Sequence, residues 1–120
     1  MFFSCIIPVY NRPGELQELL RSLLAQTYTQ FEVIVVEDGS TIRCDEVVTS
    51  FSQDLSLRYF YQENTGQGFA RNFGMQQAKG DFFVILDSDV ILPSSYFEAL
   101  EKAIAARSLD AFGGPDAAAS

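Results

Sequence analysis

Short runs of mostly apolar residues alternate along the whole chain with segments of helical periodicity. The runs suited to strands lie at residues 2–9, 31–36, 57–61 and 82–86. Strands that are apolar at consecutive positions are typical of parallel sheets, whose two faces are both covered by helices. The sequence therefore predicts an α/β fold, Rossmann-like, with a mostly parallel sheet and helices on both faces.

The segments between these runs carry helix signals. Five leucines repeat with helical spacing after Pro13, and they predict one buried helix stripe: Leu16, Leu19, Leu20, Leu23 and Leu24. Further helices are predicted over 43–52, 66–78 and 94–107. A fifth strand is predicted to begin at Leu109–Phe112, and the alanine-rich end after it suggests a fold truncated at the C-terminus.

Charge and composition exclude several classes of partner. The 120 residues include 16 acidic and 8 basic side chains, for a net charge of -8, and no histidine. A surface this acidic repels nucleic acids and anionic lipid headgroups. No apolar run approaches the roughly 20 residues of a membrane-spanning helix, so membrane contact is expected only through segments outside this sequence. Cys5 and Cys44 lack metal-ligand spacing and are interpreted as reduced thiols, which predicts a location in the cytoplasm or at the inner face of the membrane.

Polar residues collect directly after the predicted strands. They are Tyr10-Asn11-Arg12, Glu37-Asp38-Gly39-Ser40, Asn64-Thr65-Gly66 with Arg71 in the helix that follows, and Asp87-Ser88-Asp89. In an open parallel sheet, ligands bind outside the carboxyl ends of the strands, near the point where strand order reverses. These side chains are therefore the candidates for a binding site.

Asp87 and Asp89 flank one serine inside an apolar segment. Two carboxylates about 5 Å apart repel by on the order of 3 kcal/mol at an effective dielectric constant near 20. A divalent cation such as Mg²⁺ or Mn²⁺ would relieve this repulsion, and it would let an acidic protein hold a diphosphate with help from Arg71. The alternative is that both aspartates only form a turn before the next helix, and that Arg71 is a solvated helix residue.

Four motifs occur in a characteristic order: Ile6-Ile7-Pro8-Val9-Tyr10-Asn11, Val35-Val36-Glu37-Asp38-Gly39-Ser40-Thr41, Asn64-Thr65-Gly66 with Ala70-Arg71-Asn72, and Gly80-Asp81 through Leu86-Asp87-Ser88-Asp89. This set resembles the amino-terminal, nucleotide-sugar-binding half of family 2 glycosyltransferases, which have the GT-A fold. The resemblance covers residues 3–115. It implies that residues 1–120 are the donor-binding portion of a glycosyltransferase domain, without the acceptor-binding portion.

The resemblance also implies an activity and residue roles. The expected reaction transfers a sugar, with inversion, from a nucleoside diphosphate sugar to a hydroxyl of a glycan, lipid or polysaccharide, using Mn²⁺ or Mg²⁺. The resemblance implies that Pro8 and Tyr10 line the nucleoside pocket and that Asp38 hydrogen-bonds the nucleobase. It implies that Arg71 contacts the nucleobase or the diphosphate. It also implies that Asp87 lies near the ribose or binds the metal, and that Asp89 binds the metal. Glu37 stands where such proteins often carry aspartate and is a further substrate-binding candidate. No catalytic residue is identified, because the general base is expected downstream.

Two other functions remain open at this level. A non-catalytic sugar-nucleotide-binding module would need the same residues. A receiver-like, Mg²⁺-binding regulatory domain would suit the length, but it requires acidic residues after the first strand, where Pro8-Val9-Tyr10-Asn11 stands. An oxidoreductase is disfavoured because Gly66-Gln67-Gly68 lacks the third glycine of a dinucleotide-binding loop.

Overall fold

A computed structural model describes residues 1–63 and 66–111, with side chains through Arg107. Strands and helices alternate in this part of the chain: β1 (Phe3–Val9), α1 (Pro13–Leu24), β2 (Phe31–Asp38), α2 (Asp45–Phe51), β3 (Leu57–Gln62), α3 (Gln67–Gln77), β4 (Phe82–Ile85) and α4 (Tyr96–Ala111). The predicted α/β class is confirmed. Asn64, Thr65 and Phe112 lie outside the described residues.

The four strands form one parallel sheet in the order β3-β2-β1-β4. β1 pairs with β2 along its whole length, from Phe3 to Val9, but with β4 only from Phe3 to Ile6. Every residue of β1 and β2 is buried, as expected for the central strands of a covered parallel sheet. The predicted parallel arrangement is therefore confirmed, with β1 and β2 at its centre.

Helices cover both faces of the sheet. One face, with Phe3, Cys5, Ile7 and Val9 of β1, packs with α1, α2 and α4 into the larger core. Four of the predicted leucines of α1 are buried there, and each contributes about 1.5–3 kcal/mol of burial free energy. Leu24, the last leucine of the predicted stripe, is exposed at the end of the helix. Among the described helices, α3 covers the other face, where Ala70 packs with Ile34 and Val36.

Helix α3 approaches β1 through Gly74. A Cβ atom at this position would lie 2.5 Å from Cγ2 of Ile6, a fully buried β-branched side chain that has little freedom to move. We expect Gly74→Ala to lower the free energy of unfolding by about 1–3 kcal/mol, because the helix has to lift from the sheet.

Gly68 provides the matched control in the same helix, since a Cβ there meets nothing within 4 Å. Gly68→Ala should instead stabilise the protein by up to about 1 kcal/mol through better helix propensity. Urea denaturation of both variants measures the difference, and equal unfolding midpoints would contradict this account of the packing.

A buried polar cluster joins the C-terminal end of α3 to the amino end of the sheet. The Glu32 carboxylate accepts hydrogen bonds from the Ser4 hydroxyl (2.7 Å), the Lys79 backbone N–H (2.7 Å) and the Arg58 guanidinium (2.8 Å). The Ser4 hydroxyl also accepts the Gly80 N–H at 2.8 Å. These bonds fix the segment between α3 and β4 at the edge of the sheet opposite to the carboxyl ends of the strands.

Two sequence-based expectations require correction. The strand predicted from Leu109 is wrong, because the backbone remains helical to Ala111. Residues 96–111 are rich in strong helix formers, and the first helix breakers are Gly113 and Gly114. β4 was expected to be buried on both faces, yet Phe83 and Ile85 are 47% and 42% exposed, since β4 is the outer strand of the described sheet. Among the described helices, none is long and apolar enough to cross a membrane.

Candidate functional site

The order of the strands places a crevice between β1 and β4. The chain moves from β1 outward to β2 and β3, and then returns to add β4 on the other side of β1. Strand order therefore reverses between β1 and β4, and the carboxyl ends of the strands at such a topological switch point are the usual ligand site of these sheets. We call the described residues that directly follow the four strands, 10–12, 39–44, 63, 66 and 86–89, the rim.

Pro8 explains why the sheet opens at this point. The Phe3 N–H donates on the β2 side of β1, to Gln30 O at 3.1 Å, whereas the Ile6 carbonyl accepts from Leu86 N of the β4 segment at 2.9 Å. Because these groups alternate sides along a strand, the nitrogen of residue 8 faces β4 and, as a proline, has no hydrogen to donate. The β1–β4 ladder therefore ends, and Tyr10, with 41% of its surface exposed, stands beside the opening.

Asn11 connects the loop after β1 to the loop after β2. Its side-chain oxygen accepts hydrogen bonds from the backbone N–H groups of Thr41 (2.8 Å) and Ile42 (2.9 Å). Its own N–H donates to the Ser40 hydroxyl at 2.8 Å. Asn11 adopts a left-handed backbone with φ of 53°, a conformation that asparagine tolerates better than most residues. The first two loops of the rim are thus one connected unit.

Asp38 connects the same loop to the start of α3. Its carboxylate accepts hydrogen bonds from the Gly66 N–H at 2.9 Å and from the Gln62 side-chain amide at 3.1 Å. The residue is only 3% exposed. The N-terminal end of α3 is therefore held at the rim by Asp38, for which the family resemblance implies contact with the base.

Glu37 lies next to Asp38 but is directed into the larger core, with no exposed surface. Both of its carboxylate oxygens accept the Cys44 N–H at 3.0 Å, and one also accepts the Tyr59 hydroxyl. Burial, followed by the charge of Glu37, raises the pKa of Cys44 to about 12, and burial together with the Glu37 hydrogen bond raises the pKa of Tyr59 as well. Glu37, a predicted substrate contact, therefore does not present its carboxylate at the rim.

Asp87 and Asp89 differ from these acids because their side chains are exposed. They follow β4 in a turn closed by the Val90 N–H and the Asp87 carbonyl at 3.3 Å, while Ser88 between them is buried. Neither carboxylate has a hydrogen bond or ion pair within residues 1–63 and 66–107. Arg71 is likewise exposed in α3, and its guanidinium makes no ion pair with these residues. The structure thus leaves two carboxylates and one guanidinium available to a ligand.

The two carboxylates after β4 are of the type that binds a hard divalent cation when a bound ligand supplies further oxygen atoms. The described residues contain no group of three or more acidic or cysteine side chains that could hold a metal ion without other ligands. Mg²⁺ and Mn²⁺ bind well to one or two carboxylates when water and phosphate oxygens complete the coordination shell. Asp87 and Asp89 are two exposed carboxylates of this type.

Comparison with known proteins gives the family. The profile described as Glycosyl transferase family 2 matches residues 4–118, nearly the whole chain. The chain belongs to this family. A glycosyltransferase of Rickettsia felis with no characterised activity is 42% identical over 72% of the chain and 14% of its own length. The chain spans 12–36% of the length of curated glycosyltransferases that it matches.

Solved structures agree with this assignment. TarS of S. aureus, residues 1–349 in complex with UDP-GlcNAc, is 33% identical with a TM-score of 0.84, covering 90% of this chain and 32% of TarS. The mannosyltransferase PcManGT from Pyrobaculum calidifontis, in complex with GDP-Man and Mn²⁺, is 29% identical with a TM-score of 0.73, covering 78% of this chain and 29% of its own. The predicted GT-A fold of family 2 is therefore confirmed.

Sequence reasoning did not single out Asn11 and Ser40 as residues that organise this family 2 rim. Both stand in the quoted motifs, but their function depends on a contact between two loops about 30 residues apart in sequence. The available signal was the polar asparagine directly after a buried strand, at a position where a turn needs a left-handed residue.

Proposed function

We propose that this chain binds a nucleoside diphosphate sugar as the donor part of a glycosyltransferase. The reaction is transfer of the sugar to a hydroxyl of a glycan, lipid or polysaccharide acceptor, with inversion at the anomeric carbon. The observation that carries the proposal is a switch-point rim with two carboxylates and a guanidinium that have no ion pair within residues 1–63 and 66–107. Support comes from similar solved structures that hold UDP-GlcNAc in one case and GDP-Man with Mn²⁺ in the other.

On the nucleoside side, Tyr10 offers an exposed aromatic ring beside the crevice. Aromatic rings stack on nucleobases with little dependence on sequence. Asp38 is proposed to accept a hydrogen bond from the base, and its bond from Gly66 N–H at 2.9 Å keeps the carboxylate oriented. Pro8 shapes this pocket by ending the β1–β4 ladder rather than by offering a polar group.

On the diphosphate side, Asp89 is proposed to hold the divalent cation, with Asp87 as a second ligand or a partner of the ribose. When bound, the cation neutralises negative charge that develops on the departing diphosphate. Arg71 is proposed to contact the diphosphate directly through charge-assisted hydrogen bonds. The cation and Arg71 together offset the electrostatic repulsion between a protein of net charge -8 and a diphosphate.

A thermal-shift panel tests the proposal and identifies the base. UDP, GDP and dTDP at millimolar concentration are each tested with Mn²⁺, with Mg²⁺ and with EDTA. At least one nucleotide should raise the melting temperature with a divalent cation present, because ligands that bind only the folded state stabilise it. If no nucleotide changes the melting temperature, the site does not bind a nucleoside diphosphate.

Arg71→Ala should weaken nucleotide binding by roughly 10- to 100-fold, the cost of losing a hydrogen bond to a charged group. Its free energy of unfolding should not change, because the side chain is exposed and has no ion pair among the described residues. Arg21→Ala in α1 is the matched control, an exposed arginine far from the rim. Calorimetric titration measures both variants, and equal affinities would exclude Arg71 from the site.

Transfer itself is tested separately from binding. Release of free sugar from UDP-GlcNAc or GDP-Man, with and without candidate acceptors, distinguishes a glycosyltransferase from a binding module. The location in the cytoplasm, or at the inner face of the membrane, stays a prediction from the sequence.

A further inference from the structure

We infer that Glu37 is a positioning residue for nucleotide binding, which acts through the loop of residues 39–44 without touching the ligand. The inference rests on the proposed function, since it concerns the shape of that same rim. It assigns to a buried acid a role that differs from direct substrate contact.

The Glu37 carboxylate accepts hydrogen bonds from Cys44 and Tyr59. The Cys44 N–H donates to both carboxylate oxygens at 3.0 Å, and the Cys44 thiol and Tyr59 hydroxyl are also bonded to the carboxylate. A buried carboxylate is costly unless its hydrogen-bonding capacity is used, and here it is used within the protein. Because Cys44 is the residue before α2, Glu37 fixes the C-terminal end of the 39–44 loop.

The Tyr59 hydroxyl extends this arrangement to the surface. It donates to Glu37 and is also hydrogen-bonded to the Arg43 guanidinium, which lies 4.1 Å above the centre of the Tyr61 ring. Arg43 therefore brings positive charge toward the buried carboxylate through one intervening hydroxyl. The Tyr61 hydroxyl in turn donates to the Ser40 carbonyl at 3.3 Å. Both tyrosines belong to β3, so the loop is held to the sheet on this side.

The other end of the loop is held by Asn11, as described above, and Gly39 begins it in a left-handed conformation with φ of 67°. Asn11 therefore holds the loop at residues 40–42, and Glu37 holds it at residue 44. Asp38 directly precedes this loop and carries the carboxylate proposed to bind the base. Loss of the Glu37 anchor should therefore displace Asp38 and the Asn11 contact together.

The test compares two buried glutamates of the same strand. Glu37→Gln replaces one carboxylate oxygen with an amide NH₂ group, which donates hydrogen bonds. The side chain therefore cannot accept the hydrogen bonds of Cys44 and Tyr59 as a carboxylate does. Glu32→Gln disturbs a comparable buried cluster at the opposite end of β2. Titration calorimetry with UDP and with GDP, each with Mn²⁺, should show binding weakened by roughly tenfold or more in Glu37→Gln and unchanged in Glu32→Gln.

A second readout reports on the loop directly. Hydrogen exchange of the Cys44 amide should accelerate in Glu37→Gln and remain slow in Glu32→Gln. If Glu37→Gln does not fold, Tyr59→Phe removes one donor of the cluster and should give a smaller loss of affinity in the same direction. Equal affinity in Glu37→Gln and wild type, or an equal loss in both glutamate variants, would overturn the inference. Failure of wild type to bind UDP and GDP would instead overturn the proposed function.

Discussion

Replacing Asp89 with alanine is expected to abolish the Mn²⁺-dependent part of nucleoside diphosphate binding. With nucleotide at about 100 times its Kd, the folded wild-type protein gains about 2.7 kcal/mol, which corresponds to a melting temperature roughly 10 °C higher. Asp89→Ala removes the exposed carboxylate that we assign to the cation, so little of this increase should remain. Thermal shift with and without EDTA measures the two contributions separately.

The variant should fold normally, because the Asp89 side chain is exposed and has no partner among the described residues. Asp54→Ala is the matched control: Asp54 is also exposed but lies between α2 and β3, at the amino edge of the sheet. The control should keep the full Mn²⁺-dependent increase. An Asp89→Ala variant that also keeps it would remove Asp89 from the metal site.

Glu32→Ala is expected to cause the largest loss of stability, about 3–5 kcal/mol in the free energy of unfolding. The truncation leaves the buried Ser4 hydroxyl and the Lys79 N–H without their acceptor, and it separates Arg58 from its ion-pair partner. Since domains of this size are stabilised by only about 5–15 kcal/mol, a large part of the total is lost. Urea denaturation measures the change, and a loss below 1 kcal/mol would contradict the assigned importance of this cluster.

The same cluster gives a pH dependence. Burial alone would raise the pKa of Glu32, but hydrogen bonds from Ser4, Lys79 N–H and Arg58 outweigh it and hold the pKa below its ordinary value of 4.5. A lowered pKa in the folded state contributes stability that is fully present above pH 4.5 and is lost as pH falls through the lowered pKa. Glu32→Gln should therefore flatten the acid side of the stability profile, and an unchanged acid profile would contradict this pKa.

Much of the fold follows from local patterns. The leucine spacing of α1 and the apolar runs of β1 and β2 identify buried elements. A helix buried on one side has apolar residues at helical spacing, and a strand buried on both faces has apolar residues at consecutive positions. Leu109 shows the limit: a short apolar segment near a glycine pair suits a strand, yet uninterrupted helix formers carry α4 through it to Ala111. The sequence also could not show that Phe83 and Ile85 lie on the outer strand of the described sheet.

The sequence predicted the location of the candidate site better than it predicted the role of each residue in it. The acids after β2 and β4 follow strand ends, so their edge of the sheet could be inferred from connectivity. Glu37 and Asp38 are adjacent acids with different environments, since alternate residues of a strand face opposite sides and only Glu37 meets the Cys44 amide. That contact depends on the path of the 39–44 loop, which Asn11 sets from another part of the chain.

A crystal structure of the protein with Mn²⁺ and its tightest-binding nucleoside diphosphate tests the central claim most directly. The account predicts one Mn²⁺ ion at the switch point, with an Asp89 carboxylate oxygen and diphosphate oxygens each about 2.0–2.3 Å from the metal. A nucleotide bound elsewhere, or bound at the rim with both Asp87 and Asp89 uncoordinated, would contradict it.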